Sequence, residues 1–139
     1  MLVTEPEDAI SGFIAAWNAD DDEERLRLLQ AACAADAVFV SPQGVTCGCA
    51  PMSTSIGAFR RAFPRARVVA GPADAHHGYT RFRWATVWND GRPDLRGDDY
   101  AALDEASRIR ELTSFDGRSL DPESVQPRPP APPGSAGCT

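Results

Sequence analysis

The chain lacks the features that would direct it to a membrane or to nucleic acid. It contains no run of about 18 apolar residues, so no membrane-spanning helix is expected. Basic residues are the minority, 14 Lys and Arg against 20 Asp and Glu, which leaves a net charge of −6. A chain this acidic offers no basic patch to a phosphate backbone or an anionic lipid surface. Neither nucleic acid nor membrane is therefore expected as a partner. Glycine-rich phosphate loops, a Gly-x-Ser-x-Gly elbow and internal repeats are also missing. The acidic segment Met1–Asp8 holds no apolar signal-peptide core, which makes a cytoplasmic location the default expectation.

Cysteine is sparse as well. Cys33, Cys47, Cys49 and Cys138 match no disulfide framework, and cytosolic thiols are expected to be reduced. Cys47-Gly48-Cys49 is spaced more tightly than a zinc pair and has no second pair to complete it. His76 and His77 are the only other candidate ligands, so no metal and no other cofactor is expected.

With 139 residues, 42% of them apolar, the chain is long enough for one domain with a buried core. Its composition changes near the end. Pro122, Pro127, Pro129, Pro130, Pro132 and Pro133 lead into Gly134-Ser135-Ala136-Gly137, with no apolar periodicity. Residues 118–139 are read as a disordered or polyproline-like tail, either inert or a docking segment, behind a domain at 1–117.

Helical signals come first. Thr4 and Glu7 form a capping box, and Ile10, Phe13, Ile14 and Trp17 make one apolar stripe. After Asn18–Asp22, a second helix carries Leu26, Leu29 and Cys33 inward, leaves Arg25 and Arg27 solvated, and ends near Ala34–Asp36. Val38–Val40 reads as a short strand closed by the turn Ser41–Gly44. Val45–Ser55 is illegible. Ile56, Phe59 and Phe63 mark a third helix ending at Pro64, and Arg65–Ala70 alternates weakly as a strand. Three further strand-like runs, Tyr79–Trp88, Asp98–Asp104 and Arg108–Phe115, are separated by turn-prone Asn89–Pro93 and Asp104–Ser107. Early helices and a late antiparallel meander define an α+β class.

Alternation along the meander sorts its side chains. Phe82, Trp84, Thr86 and Trp88 share one face, suited to line a pocket. Arg81, Arg83, Ala85 and Val87 share the other, suited to solvent or to a dimer contact. On the next strand Asp99 falls with Ala101 and Leu103, so a carboxylate points inward, where it must be hydrogen-bonded, paired or neutral. Counting back from Phe82 turns His76 inward and His77 outward, and one bulge would reverse them. Asp99, His76 and His77 are the candidate acid–base residues. A paired structural carboxylate and two strand-edge histidines are the bland alternatives.

The order of Trp17-Asn18, Ala35–Gly44, Phe63-Pro64, Arg81–Trp84, Gly97–Asp99 and Arg108-Ile109 resembles the nuclear transport factor 2-like superfamily, and within it the SnoaL-like group. The resemblance covers Thr4–Gly117. It implies a cone-shaped bent sheet, antiparallel or mixed, wrapped around the N-terminal helices. A pocket would open at one end, lined by Phe13, Trp17, Phe39, Phe59, Phe63, Phe82, Trp84 and Leu112. It also implies a homodimer joined through the outer sheet face and a small apolar molecule as ligand.

The superfamily spans isomerases, cyclases, hydrolases, dehydratases and non-catalytic domains, so fold does not fix chemistry. Against its ketosteroid isomerases, the oxyanion-hole acid falls on Asp99. The general base falls on Ser41 and the helix-one tyrosine on Phe13, so that reaction is not expected here. Three readings follow. One is a cofactor-independent cyclase, isomerase or hydratase acting on an apolar carbonyl compound. The others are a non-catalytic binding protein and a dimerisation module.

Overall fold

The computed structural model of the protein describes residues 5–88 and 93–116. Helix α1 (Pro6–Asn18) starts one residue later than the Thr4 box anticipates. Glu5 is its N-cap, with its own N–H donating to Asp8 Oδ2 at 3.2 Å, and Pro6 follows at the first helical position. Ile10 and Phe13 are buried in the core, and Ile14 and Trp17 pack against it. Asp21 caps α2 (Asp22–Ala32), accepting from the Glu24 N–H at 2.9 Å.

Two expectations for α2 are corrected. The helix stops at Ala32, because Cys33 already begins strand β1 (Cys33–Ser41) and pairs with Ile109. Cys33 remains in the core, now as a strand residue. Arg25, read as solvated, is 2% exposed. Its Nε and Nη2 donate to the Ala19 carbonyl at 3.1 and 2.9 Å, and Nη1 reaches Asp22 Oδ1 at 2.7 Å. A guanidinium with five N–H donors can be buried when carbonyls around a turn take them. Arg60 repeats the device from α3 (Cys49–Ala62): its Nε meets Asp20 Oδ1 at 3.0 Å and its other nitrogens bond the Pro64 and Ala66 carbonyls. Together the two arginines tie the α1–α2 turn to α3.

The segment that could not be read, Val45–Ser55, forms β2 (Gly44–Cys47) and the first half of α3. Gly48, with φ near 90°, makes the sharp entry to the helix. Small residues along Cys49–Ser55 hide the helical period, and Pro51 sits in the first turn, where no hydrogen bond is lost. Cys47 is disulfide-bonded, contrary to the reduced thiols expected, whereas Cys33 and Cys49 are free.

The remaining strands are β3 (Arg67–Ala70), β4 (Asp74–His76), β5 (Tyr79–Val87), β6 (Pro93–Leu103) and β7 (Ile109–Asp116). The seven strands form a mixed sheet in the order β2-β1-β7-β6-β5-β3, with β4 also on β5. Only β1–β7 is parallel. The three helices cover one face, and the core lies between, from Ala9, Phe13 and Leu29 to Phe39, Phe82, Ala101, Ile109 and Leu112.

At the edge strand β3, the Asn18 side-chain amide takes the place of a missing strand. Its Nδ2 donates to the Val68 carbonyl and its Oδ1 accepts from the Val68 N–H, both at 2.8 Å. That bidentate contact closes an otherwise open row of backbone groups and fixes the end of α1 against the sheet.

Candidate functional site

The inner faces of β5, β6 and β7 set the site. Buried positions alternate on β5 through Thr80, Phe82 and Thr86, with Trp84 half-buried among them. On β6 the inward set is Gly97, Asp99, Ala101 and Leu103. Asp99 is 4% exposed and sits in register between Phe82 on one side and Ser114 on the other. These strands, with α1, α3 and the β1–β2 hairpin, enclose a cavity of about 570 Å³. Its volume lies in the range of small-molecule sites.

The wall is aromatic on the helical side, through Phe13, Trp17, Phe59 and Phe63. Phe13 stacks on Phe39 with ring centroids 6.0 Å apart, and Trp17 meets Phe59 edge to face at 5.5 Å. On the sheet side Trp84 Nε1 donates to Asp99 Oδ1 at 2.8 Å, and the Ser114 hydroxyl is also bonded to this carboxyl. Desolvation dominates the carboxyl's proton affinity and lifts its pKa from 3.8 to about 6. The Ser114 and Trp84 bonds oppose the rise, and the nearby Asp98 charge adds to it. Among the described residues no arginine or histidine lines the cavity, so the Asp99 charge is met there by neutral donors only. None of the described residues forms a cluster that could hold a metal.

Of the residues singled out from the sequence, Asp99, Phe13, Trp17, Phe39, Phe59, Phe63, Trp84 and Leu112 border this one cavity. Phe82 does not. It is 3% exposed and packed into the core, so its place on the inner face puts it inside the protein rather than on the wall. His76 and His77 are not brought to the cavity either. Both are exposed, with their Nδ1 atoms 3.2 Å apart. His76 pairs with Tyr79, and His77 and Gly78, with φ of 52° and 79°, form the turn between. Two left-handed residues reverse the chain there, and alternation cannot be counted through a hairpin.

Ser114, Gln43, Thr46 and Ser55 are polar wall residues that the sequence did not single out, whereas Thr86 lies on the wall as the alternation along β5 predicts. Ser114 had a usable signal, because it shares the Leu112 face two residues along β7. Thr86 Oγ1 is occupied by the Leu95 N–H at 3.0 Å. Ser41 is also on the wall. Its hydroxyl accepts from the Gln43 N–H at 3.2 Å and donates to Gln43 Oε1 at 3.1 Å, with no base beside it.

A mixed sheet packed on three helices around a cavity is the fold that the chain shares with nuclear transport factor 2-like structures. Among solved structures, an isomerase candidate of the SnoaL-like family from Agrobacterium tumefaciens strain C58 is 32% identical. The match covers 78% of this chain and 94% of that one, with a TM-score of 0.73. The chain belongs to the SnoaL-like family. A SnoaL-like polyketide cyclase candidate from Jannaschia sp. CCS1 has 12% identity and a TM-score of 0.65, over 83% of this chain and 87% of that one. A nuclear transport factor 2-like protein of unknown function from Cytophaga hutchinsonii has 12% identity and a TM-score of 0.61, over 81% and 90%. These last two show the fold alone. No protein-family model and no curated protein sequence matches the chain.

Proposed function

We propose that the protein binds a small, largely apolar carbonyl compound in the aromatic cavity and exchanges a proton with it through Asp99, without a cofactor. The observation that carries this reading is one buried carboxyl, with a pKa near 6, on the wall of a cavity otherwise aromatic and hydroxylic. At pH 7 such a group is mostly ionised yet still basic enough to take a proton from carbon next to a carbonyl, and to return it elsewhere. The hydroxyls of Ser55 and Thr46 border the same space and can donate to the oxygen on which charge develops. The reading is that of a cofactor-independent isomerase, cyclase or hydratase, and the SnoaL-like isomerase and polyketide cyclase candidates among its structural neighbours support it.

The test is a thermal-shift screen of ring ketones on the wild type and Asp99→Asn, followed by turnover of any ligand found. Binding retained and turnover lost in Asp99→Asn supports the reading. Turnover unchanged in Asp99→Asn removes Asp99 from the chemistry. Binding without turnover in either protein leaves the non-catalytic alternative, which the serine and phenylalanine at positions 41 and 13 favour.

We also infer that a second copy of the chain covers the outer sheet face. Tyr79, Tyr100 and Phe115 stand exposed there, with Tyr100 and Phe115 edge to face at 5.8 Å, beside the exposed guanidinium groups of Arg81 and Arg83. Light scattering after size exclusion should give twice the mass of the 14.9 kDa chain, and Tyr100→Arg should halve it. A monomer at tens of micromolar would sink the inference.

A further inference from the structure

Trp84 and Gly97 face each other across β5 and β6. A Cβ built on Gly97 would meet the Phe115 backbone carbonyl first, and then Cζ2 and Cε2 of the Trp84 indole at 2.5 and 2.6 Å. Real Cβ atoms do not approach other atoms that closely, so the indole lies where a side chain at position 97 would be. Cε2 is the carbon bonded to Nε1, and Cζ2 is its neighbour. The edge of the ring resting on Gly97 is therefore the edge whose N–H reaches Asp99 Oδ1 at 2.8 Å. Gly97 and Asp99 are two residues apart on the same face of β6, the spacing that the flat-lying indole bridges.

We infer that Gly97 is a positioning residue for the Asp99 site: by lacking a side chain it lets the Trp84 indole lie across β6 and present its N–H to the carboxyl. Trp84 is then a second positioning residue. It holds one carboxyl oxygen, Ser114 takes part in holding the group, and the remaining acceptor capacity is what a ligand meets. Any residue larger than glycine at 97 meets both the Phe115 carbonyl and the indole, and where β7 accommodates it the indole is displaced and the carboxyl loosened. The inference rests on the proposed role of Asp99 and adds to it how the acid is aimed and its proton affinity restrained.

The test follows the Asp99 carboxyl by carbon-detected NMR titration in the wild type, Trp84→Phe, Gly97→Ala and the double variant. The wild-type midpoint should lie at about 6. Losing one donor to the carboxylate should raise it by about one pH unit in Trp84→Phe, by a similar amount in Gly97→Ala, and by no more in the double variant. The Trp84 indole N–H resonance should titrate with Asp99 in the wild type and lose that response in Gly97→Ala. A folded Gly97→Ala whose midpoint and indole resonance match the wild type overturns the inference, and so does an unmoved midpoint in Trp84→Phe.

Should Gly97→Ala fail to fold, the double variant decides. Its folding would show that the indole is what glycine accommodates. If neither folds, position 97 is glycine for the Phe115 carbonyl and its positioning role is overturned. Asp99→Asn turnover is read separately. Wild-type activity there, with shifted midpoints in the other variants, fails the proposed function while this inference stands.

Discussion

Asp98 and Asp99 are adjacent in sequence and share almost nothing else. Asp98 turns to the outer face, where its Oδ1 is 3.4 Å from Arg83 Nε and both side chains remain in contact with water. Asp99 turns inward, loses that water, and finds an indole N–H and a hydroxyl but no cation. The peptide geometry is the same and the pleat makes the whole difference. A carboxylate that is cheap to keep charged does little chemistry. One whose charge is disfavoured by its surroundings holds its proton nearer neutrality, where it is useful.

The largest expected effect is on reaction rate. If Asp99 transfers the proton, Asp99→Asn should lower turnover by about 10²- to 10⁴-fold with ligand affinity nearly kept. In the wild type, kcat/KM should fall on the acid side of about pH 6, as the base becomes protonated. A rate independent of pH between 5 and 8 would break the contrast between the two aspartates.

Next comes a buried charge of the other sign. Arg25 is as buried as Asp99, yet its donors are taken up by the Ala19 and Asp20 carbonyls and by Asp22. Arg25→Met should cost about 3 kcal/mol, because those buried carbonyls lose their partners, and urea unfolding measures it. A loss below about 1 kcal/mol would mean that water replaces the guanidinium there.

Asp99 should behave oppositely. Its folded pKa, about 6, lies above the ordinary 3.8, so the folded state holds the proton more tightly than the unfolded one. Its contribution to stability is therefore full below about pH 4 and is lost as pH rises through 6. Replacing the charge should recover up to about 3 kcal/mol at pH 8 and almost nothing at pH 4. Melting temperatures of Asp99→Asn at the two pH values check this. Equal changes at both would show that the carboxyl is not destabilised by burial.

This contrast also marks what the sequence could reveal. Asp99 was legible because Ala101 and Leu103 flank it at period two, and the aromatic stripe of α1 because helical spacing survives. His76 was not, since its orientation depends on two consecutive left-handed residues, His77 and Gly78, that end the alternation. Arg25 was not, because an arginine on a polar helix face reads as solvated until the preceding turn folds its Ala19 and Asp20 carbonyls around it. The α+β class and the family follow from element order, which tolerates such errors. The inner wall does not, and Ser114 enters only once β6 and β7 are in register.

The smallest effect is the control on the whole comparison. Asp98→Asn removes a charge one residue from the site and breaks the 3.4 Å contact with Arg83. A pair this exposed is worth at most about 1 kcal/mol and is weakened by salt. Stability should therefore change by less than about 0.5 kcal/mol at both pH 4 and pH 8. The Asp99 midpoint should fall slightly, because the neighbouring negative charge that raises it is gone. If Asp98→Asn instead reproduced the pH-dependent stability of Asp99→Asn, the two carboxyls would be titrating as one unit across the strand. The separation of the faces by the pleat would then be too weak to assign the site to Asp99 alone.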